Sequence, residues 1–390
     1  MQRARQRAMI RNIHEPFSRL TDALQSPRSA MPDIEEAIED LSALKSRFLT
    51  AGSGIETSQS LLDQVMHGFN ERRMLAYSLT GITTGWDEVD AILDGYTNGD
   101  LYVWVARPGR GKSWLLLKQC HAAWMAGYKP LYVSMEMGGV QNMRRIVGIQ
   151  TGINPNFIKR GRVQTLFMPV LERGVQELFE ARPLPMVTAN FHRTVEQIES
   201  LVEEHTPDIV FIDAGYLLSP KKKRFGSGGR RESVSDVVEE LKELATNINR
   251  PVVITVQFNR NAEHRRRAGA GGTPISHLSL AEIGETDVIG QAASHVFGIE
   301  LAPPPLLPNR YRAFGFLKGR EGEEGWWLTN YMQERFSPVD ISIVPRSDPV
   351  YQLLREHAAR NQGGGNGPGG RRNINEIDPA DRTALMRMNM

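Results

Sequence analysis

A glycine-rich segment with one lysine and one serine is the part of this sequence best suited to bind phosphate. Residues 106–113 read Ala-Arg-Pro-Gly-Arg-Gly-Lys-Ser, close to the pattern G-x-x-x-x-G-K-[ST]. Gly109 and Gly111 allow backbone N–H groups to turn toward one anion, and the helix that follows adds partial positive charge. Lys112 is expected to reach the β- and γ-phosphates of a nucleoside triphosphate, and the Ser113 hydroxyl to bind Mg²⁺. The predicted nucleotide contacts are Ala106, Arg107, Pro108, Gly109, Arg110, Gly111, Lys112, Ser113 and Trp114.

The first glycine of the pattern is replaced by Ala106. This position ends a strand and is not expected to touch phosphate, so alanine fits there if its φ is negative. The alternative is a chance Gly-Lys-Ser after a turn. The predicted strand before the segment and the predicted helix after it argue against that alternative.

Two carboxylates follow apolar strands and could complete a hydrolytic site. Asp213 comes directly after the run 209–212, at the sheet edge where open α/β sheets bind ligands, and is expected to hold Mg²⁺ through water. No glutamate follows Asp213, so the base that activates water must come from elsewhere. Glu136 follows the run 130–135, and we expect it beside the phosphate loop, one strand away. The alternatives are a helix cap for Asp213 and a solvated glutamate for Glu136.

The elements that must position these residues alternate between strand and helix. The apolar runs are 101–106, 130–135, 209–212 and 251–256, and they do not alternate with polar residues. Such runs are typical of parallel strands buried on both faces. Helical patterns cover 113–126 and 232–249, the second with one apolar face. The sequence therefore predicts an α/β fold with a mainly parallel β-sheet flanked by helices.

The regions on either side of this core have different patterns. Two amphipathic stretches, 34–48 and 61–69, are separated by a glycine-containing break at 51–54. Two short helices cannot bury both apolar faces alone, so they pack either on their own core or on a neighbouring subunit. Residues 338–360 predict a strand followed by a helix. The glycine-rich sequence from Asn361 onward predicts a flexible, disordered tail.

Composition restricts the class of protein. The net charge of +2 indicates that any nucleic-acid site is a local patch rather than the whole surface. The single cysteine, Cys120, excludes an intramolecular disulfide framework. No apolar run approaches the roughly 20 residues that span a bilayer, and the basic N-terminus lacks the apolar core of a secretory signal. We therefore expect a cytoplasmic protein with no membrane partner.

An ordered set of motifs resembles the DnaB family of replicative helicases. The similarity covers about residues 77–335 and is far more specific than the phosphate loop alone. The motifs that carry it lie at 79–90, 97–101, 134–137, 143–145, 158–163, 251–260 and 318–322.

The resemblance implies a RecA-like P-loop NTPase core and a role for each matching residue. Glu136 would be the catalytic base, and Gln257 would sense the γ-phosphate and couple it to DNA-binding loops. Lys318 and Arg320 would reach the γ-phosphate bound by the adjacent subunit, as an arginine finger does. The implied catalytic set is Glu136, Lys112, Gln257, Arg320 and Lys318, and the implied assembly is a homo-hexameric ring. The alternative for Lys318 and Arg320 is a solvated hairpin edge.

The resemblance also suggests domain boundaries. We expect a small N-terminal helical region at 1–54, a linker helix docking on the neighbouring subunit at 55–76, an ATPase/helicase domain at 77–360 and a tail at 361–390. The family usually carries a larger N-terminal domain, and this reduction suggests a compact bacteriophage member working in its host's cytoplasm. A primase, a helicase loader and a single-strand-binding protein are the candidate protein partners.

Two cationic segments are candidates for binding single-stranded DNA. They follow the strands that lead to Asp213 and Gln257, and repeated around a ring they would line a channel with positive charge. Solvated charge runs are the alternative for each. Glu282 and Gly284 lie in a further stretch that resembles a DNA-contacting loop, although Ala281 stands where an arginine is usual. The candidate DNA contacts are Lys221, Lys222, Lys223, Arg224, Arg230, Arg231, Arg265, Arg266, Arg267, Glu282 and Gly284.

The sequence thus favours an ATP-driven DNA helicase with 5′-to-3′ polarity, the polarity being implied by the resemblance alone. A RecA-like recombinase or clock-type ATPase would also hydrolyse ATP, without unwinding a duplex. A non-catalytic loader or scaffold is the third candidate. Intact Lys112, Ser113, Glu136 and Asp213 argue against it.

Overall fold

An eight-stranded sheet forms the centre of the computed structural model. The structure describes residues 58–74, 79–188, 193–220, 230–257, 286–303, 305–306, 310–331 and 340–362. The strands are β1 (Leu101–Ala106), β2 (Pro130–Ser134), β3 (Met186–Thr188), β4 (Ile209–Asp213), β5 (Val252–Gln257), β6 (His295–Leu301), β7 (Tyr311–Lys318) and β8 (Trp326–Asn330). Their order is β3-β2-β4-β5-β1-β6-β7-β8. Strands β1 to β6 are parallel, and β7 and β8 extend the sheet as an antiparallel hairpin.

Helices connect the strands. They are α1 (Ser58–Met74), α2 (Asp87–Leu93), α3 (Lys112–Met125), α4 (Gly139–Thr151), α5 (Pro155–Lys159), α6 (Met168–Glu180), α7 (Val195–His205), α8 (Arg230–Ile248), α9 (Thr286–Ala292) and α10 (Pro349–Gln362). Short 3₁₀ turns cover Thr165–Phe167 and Gly215–Leu217. Local sequence explains several starts: Thr194 and Gln197 form a reciprocal capping box at α7, and Asn154 caps α5.

The sheet is buried on both faces, as its apolar runs predicted. Successive residues of a strand point to opposite faces. Leu101, Val103 and Val105 of β1 therefore join one core cluster, with α7 and α8, whereas Tyr102 and Trp104 join the other, with α2 and α3. Helix α8 contributes Val234, Val237, Val238, Leu241 and Leu244, which are at most 4% exposed, to the first cluster. Each of these residues lies on the predicted apolar face.

The four strands predicted from apolar runs are present within one residue at each end. Of the strand predicted within 338–360, the described residues 340–348 show one isolated bridge, between Ile343 and Thr329, before α10 begins, and residues 338 and 339 lie outside the described residues. Helix α10 also continues through Asn361 to Gln362, two residues into the predicted tail. The rest of the tail and the amphipathic stretch at 34–48 lie outside the described residues.

The chain divides into two compact units, Met1–Ser78 and Leu79–Met390. In the first unit the structure describes α1, which spans the second amphipathic stretch. Its apolar side chains are between 44% and 65% exposed, and they are Leu61, Leu62, Val65, Met66 and Phe69. Across the described part of the chain, every helix is too short or too polar to span a membrane.

Candidate functional site

The phosphate loop joins the carboxyl end of β1 to α3. Gly109 and Gly111 have φ of +73° and +97°, a left-handed backbone conformation that glycine adopts at no steric cost. Lys112 is the first residue of α3, and its Nζ lies 3.4 Å from the carbonyl oxygen of Ala106, so its side chain folds back over the loop. The predicted strand, turn and helix are therefore all present around residues 106–113.

Side chains of β6, β7 and the residue after β8 contact the phosphate loop. A Cβ at Gly111 would lie 2.6 Å from the Tyr331 ring, which is 2% exposed and has the Arg312 guanidinium 4.2 Å from its centre. Arg312 Nε donates to the Arg110 carbonyl oxygen at 3.1 Å, and Arg110 Nε pairs with Glu300 at 2.8 Å. Glu300 of β6, Arg312 of β7 and Tyr331 after β8 thus fix the loop from outside its own segment. Sequence reasoning missed them because only the fold brings them to the loop.

Asp213 lies at the carboxyl end of β4 and is 1% exposed. Thr255 Oγ1 donates to its carboxylate at 2.8 Å, and Ser113 makes a second side-chain hydrogen bond with it. Burial raises the pKa of Asp213, and these hydrogen bonds and the nearby Lys112 oppose that rise. Of the predicted site residues, Ser113 and Asp213 are therefore brought into direct contact. Thr255, a polar residue within an apolar strand, was a signal that sequence reasoning overlooked.

The hydroxyl and carboxylate oxygens of Ser113 and Asp213 are the ligand type that Mg²⁺ prefers. Among the described residues, no group of three or more His, Cys, Asp or Glu side chains is arranged to hold a metal ion. The donor set therefore fits a cation that takes its remaining ligands from phosphate and water.

Glu136 is exposed and lies two residues beyond β2. The prediction that it stands one strand from the phosphate loop is wrong: β5 and β4 lie between β1 and β2, a separation of roughly 14 Å at the usual strand spacing. Apolar runs mark where strands end but not their order in the sheet, which explains the error. Even so, the charge of Glu136 acts on Lys112: burial lowers the pKa of Lys112, whereas Asp213 and Glu136 raise it.

Tyr216 fixes the Glu136 carboxylate. Its hydroxyl donates to Glu136 Oε1 from the 3₁₀ turn that follows Asp213. A hydrogen bond to one carboxylate oxygen restricts the orientation of the whole group. Tyr216 is thus a further residue of the site, and sequence reasoning missed it.

Gln257 is the last residue of β5 and pairs with Ala106 across the sheet. It therefore lies at the same edge as the phosphate loop. Trp114, the other predicted contact, is half-buried in the first turn of α3, with the Arg145 guanidinium 5.0 Å from its ring.

Lys318 and Arg320 lie at the opposite edge of the sheet. Strand β7 runs antiparallel to β6, so Lys318 at its end pairs with Val296 near the start of β6. Arg320 Nη1 lies 3.1 Å from Asp100 Oδ1, and Asp100 immediately precedes β1. The six residues of β1 separate this edge from the phosphate loop by roughly 20 Å. The structure does not bring these two residues to the nucleotide site of their own chain.

The candidate DNA contacts are described only in part. Arg230 and Arg231 are the first two residues of α8. The described chain reaches Pro220 after β4 and Gln257 after β5, so the two cationic segments begin near the carboxyl edge of the sheet. The other candidates lie outside the described residues, and they are Lys221, Lys222, Lys223, Arg224, Arg265, Arg266, Arg267, Glu282 and Gly284.

Two solved structures share this architecture. One, of an isolated ATPase domain, superposes with a TM-score of 0.61 at 22% identity, covering 72% of this chain and 98% of that one. The other, of a DnaB-like replicative helicase studied for its interactions with primase, gives a TM-score of 0.66 at 19% identity, covering 87% of this chain and 75% of that one. These likenesses show that the chain shares the fold of these two proteins.

Sequence relatives give the same family. The replicative DNA helicase DnaB of Helicobacter pylori is 27% identical over 217 residues, 54% of this chain and 44% of that protein. The corresponding protein of Haemophilus influenzae is 24% identical over 269 residues, 67% of this chain and 57% of that protein. The chain thus spans about half the length of these relatives. The family model described as the DnaB-like helicase C-terminal domain matches residues 81–299, which is more than half of the chain, and the chain belongs to that family.

Proposed function

We propose that this protein is an ATP-dependent replicative DNA helicase that moves 5′ to 3′ along single-stranded DNA as a homo-hexameric ring. The observation that carries the proposal is the division of the site between two edges of one sheet. The phosphate loop, Asp213 and Glu136 lie at the carboxyl edge, whereas Lys318 and Arg320 lie roughly 20 Å away at the amino edge. A complete site therefore needs the amino edge of one subunit to face the carboxyl edge of the next.

The carboxyl edge is suited to bind ATP with Mg²⁺. The loop supplies backbone N–H groups at the start of α3, and Lys112 supplies a charge for the β- and γ-phosphates. Ser113 and Asp213 would hold the cation, which when bound neutralises charge on the phosphate oxygens. Glu136, oriented by Tyr216, would accept a proton from the attacking water. Gln257 at the end of β5 would report the state of the γ-phosphate to the segment that follows it.

The amino edge is suited to act in trans. The side chain of Arg320 is 57% exposed, and Lys318 ends β7 beside it. An arginine finger supplied by a neighbour stabilises the charge that develops on a transferring phosphoryl group, an effect worth roughly 10³–10⁵ in rate. A closed ring gives every phosphate loop such a neighbour, whereas a head-to-tail contact whose rotation does not close would leave an open filament.

Single-stranded DNA is the proposed substrate track. The cationic segments after Pro220 and Gln257 begin near the catalytic edge, so nucleotide turnover could move the charges that hold the DNA backbone. A primase, a loader and a single-strand-binding protein are the proposed partners, the first because one structural relative was studied with primase. Replication in a bacterial or phage-infected cell would place this work in the cytoplasm.

Strand displacement on a forked duplex tests the proposal. The purified full chain should separate the strands only with ATP, and Lys112→Ala should abolish both hydrolysis and unwinding while leaving the circular dichroism spectrum unchanged. Arg173→Ala is the control, because it removes an exposed cation of helix α6 that has no role in the proposed site. Hydrolysis without strand separation would refute a helicase, and open helical filaments in negative stain would favour a recombinase. Retained turnover in Lys112→Ala would refute the assignment of the loop.

A further inference from the structure

Asp100 is the centre of a polar cluster at the amino edge of the sheet. Its side chain is 14% exposed, and its Oδ1 lies 3.1 Å from Arg320 Nη1 and 3.2 Å from Lys242 Nζ. The Ser294 hydroxyl donates to the same oxygen. One carboxylate oxygen thus contacts the turn between β7 and β8, helix α8 and the residue that precedes β6.

Lys242 holds this carboxylate in place. Its ammonium group also donates to the Gly99 carbonyl oxygen at 2.7 Å and to Ser294 Oγ at 3.1 Å. All three donors of the ammonium group therefore have acceptors within the cluster. Asp100 is consequently a fixed anchor, whereas its third partner, Arg320, is mostly exposed.

The cluster carries more positive charge than one carboxylate can neutralise. Lys242, Lys318 and Arg320 contribute three positive charges, which are opposed by the carboxylates of Asp100 and of Glu323 in the turn after β7. Lys318 donates to the Ala293 carbonyl oxygen at 2.6 Å, so it is held beside the others. Burial lowers the pKa of Lys318, and the charges of Arg320 and Lys242 lower it further.

The pair between Asp100 and Arg320 adds little to the stability of the fold. An exposed ion pair contributes little net free energy, because solvent screens the charges and ordering both side chains costs entropy. The larger effect of the pair is on the conformation of Arg320, because an arginine side chain has many rotamers and a single well-placed contact restricts them. The contact uses Nη1, one of three nitrogens in a guanidinium with five N–H donors.

We propose that Asp100, fixed by Lys242 and Ser294, is a positioning residue that orients Arg320 toward the nucleotide bound by the neighbouring subunit. This inference rests on the proposed function, because it needs a finger that acts in trans. It gives a role to Asp100, which lies in the motif at 97–101 but had no role there, and to Lys242, which lies outside every motif. It also predicts that an Asp100 variant impairs ATP hydrolysis at the neighbouring subunit's site, which receives Arg320, and not at the phosphate loop of its own chain.

A double-mutant cycle on steady-state ATP hydrolysis tests whether Asp100 acts through Arg320. We expect Asp100→Ala to lower kcat roughly 10- to 100-fold, the effect of misplacing a catalytic group, with KM for ATP unchanged. In an Arg320→Ala background the same substitution should change kcat less than about twofold, since no finger remains to be positioned. Equal losses in both backgrounds would overturn the proposal. Asp87→Asn, an exposed carboxylate of α2, is the control and should keep wild-type turnover.

Subunit mixing separates positioning from damage to the fold, because Asp100 also precedes the strand that leads to the phosphate loop. Lys112→Ala subunits lack a working nucleotide site but retain the finger. Rings mixed from Asp100→Ala and Lys112→Ala subunits should therefore be more active than either variant alone. Should Asp100→Ala fail to fold, Asp100→Asn keeps an acceptor oxygen and is tested in the same way.

Two outcomes of the mixing experiment are distinct. Recovery with Arg320→Ala subunits but none with Asp100→Ala subunits would show that Asp100 acts inside its own chain, and would overturn the inference alone. No recovery with Arg320→Ala subunits, or wild-type turnover by that variant, would reject the finger in trans, and with it both the ring proposal and the inference.

Discussion

Replacing Gly111 with alanine tests how strongly Tyr331 restricts the conformation of the phosphate loop. The φ of Gly111 is +97°, and a Cβ there would lie 2.6 Å from Tyr331 Cζ and 2.7 Å from Cε2 and Oη. Carbon atoms of this kind normally approach no closer than about 3.5 Å. The ring has little room to retreat, because it is 2% exposed and the Arg312 guanidinium lies 4.2 Å from its centre.

Two costs add at this position. A left-handed backbone costs a residue with a Cβ about 1–2 kcal/mol, and overpacking a filled site costs about 1–3 kcal/mol. Gly111→Ala should therefore lower the free energy of unfolding by about 2–5 kcal/mol. Gly109 provides a matched comparison: its φ is +73°, but nothing lies within 4 Å of its would-be Cβ. Gly109→Ala should cost only the backbone part, about 1–2 kcal/mol.

Urea unfolding of the nucleotide-free protein is the assay, because it reports on loop geometry without requiring catalysis. In a Tyr331→Ala background the steric cost should vanish, so that Gly111→Ala again costs only about 1–2 kcal/mol. Equal costs for the two glycine variants, or an unchanged cost of Gly111→Ala without the ring, would refute the view that Tyr331 shapes the loop.

Three further predictions concern single side chains. Tyr216→Phe removes the hydroxyl that donates to Glu136 and should lower kcat for ATP hydrolysis about 3- to 10-fold at unchanged KM, so wild-type turnover would exclude an orienting role. Burial raises the pKa of Asp213 in the folded protein above 3.8, the usual pKa of this carboxyl. The protonated form therefore stabilises the fold below pH 3.8, and this stability is lost as the pH rises through the raised pKa. Asp213→Asn should abolish this pH-dependent loss of stability. The prediction is contradicted if the urea midpoints of the variant and the wild type change equally with pH across that range. Cys120 is fully buried, which raises the pKa of its thiol, so a thiolate-specific reagent should modify the native protein only after unfolding.

The sequence predicted four of the six parallel strands, for a physical reason, and missed β3 and β6. Strands buried on both faces must be apolar throughout, so β1, β2, β4 and β5 stand out as continuous apolar runs. Strand β7 does not, because Arg312 and Lys318 interrupt it, and β3 is only three residues long. Strand order was not predictable either, because a crossover connection can pass over neighbouring strands. The predicted position of Glu136 was wrong for this reason, since β4 and β5 lie between β2 and β1.

The site was predictable where residues adjacent in sequence act together. Residues 106–113 carry their own turn and helix start, so the phosphate loop is legible without a fold. Asp213 could be placed because a strand ends there. Tyr331, Arg312 and Glu300 could not, because they reach the loop only through the pairing of β6, β7 and β8. Their chemistry, a ring and an ion pair, is not distinctive until the fold brings them to the loop.

The antiparallel hairpin links the two halves of the proposed site. Strand β7 carries Arg312, whose side chain reaches the phosphate loop at one edge of the sheet, and it ends at Lys318 at the other. Arg320 follows within two residues and is anchored by Asp100, which immediately precedes the strand that leads back to the loop. Rigid strands transmit displacement along their length better than loops do. A nucleotide that shifts the loop of one subunit would therefore also shift the finger that the same subunit presents to its neighbour, which gives adjacent sites a physical basis for acting in sequence.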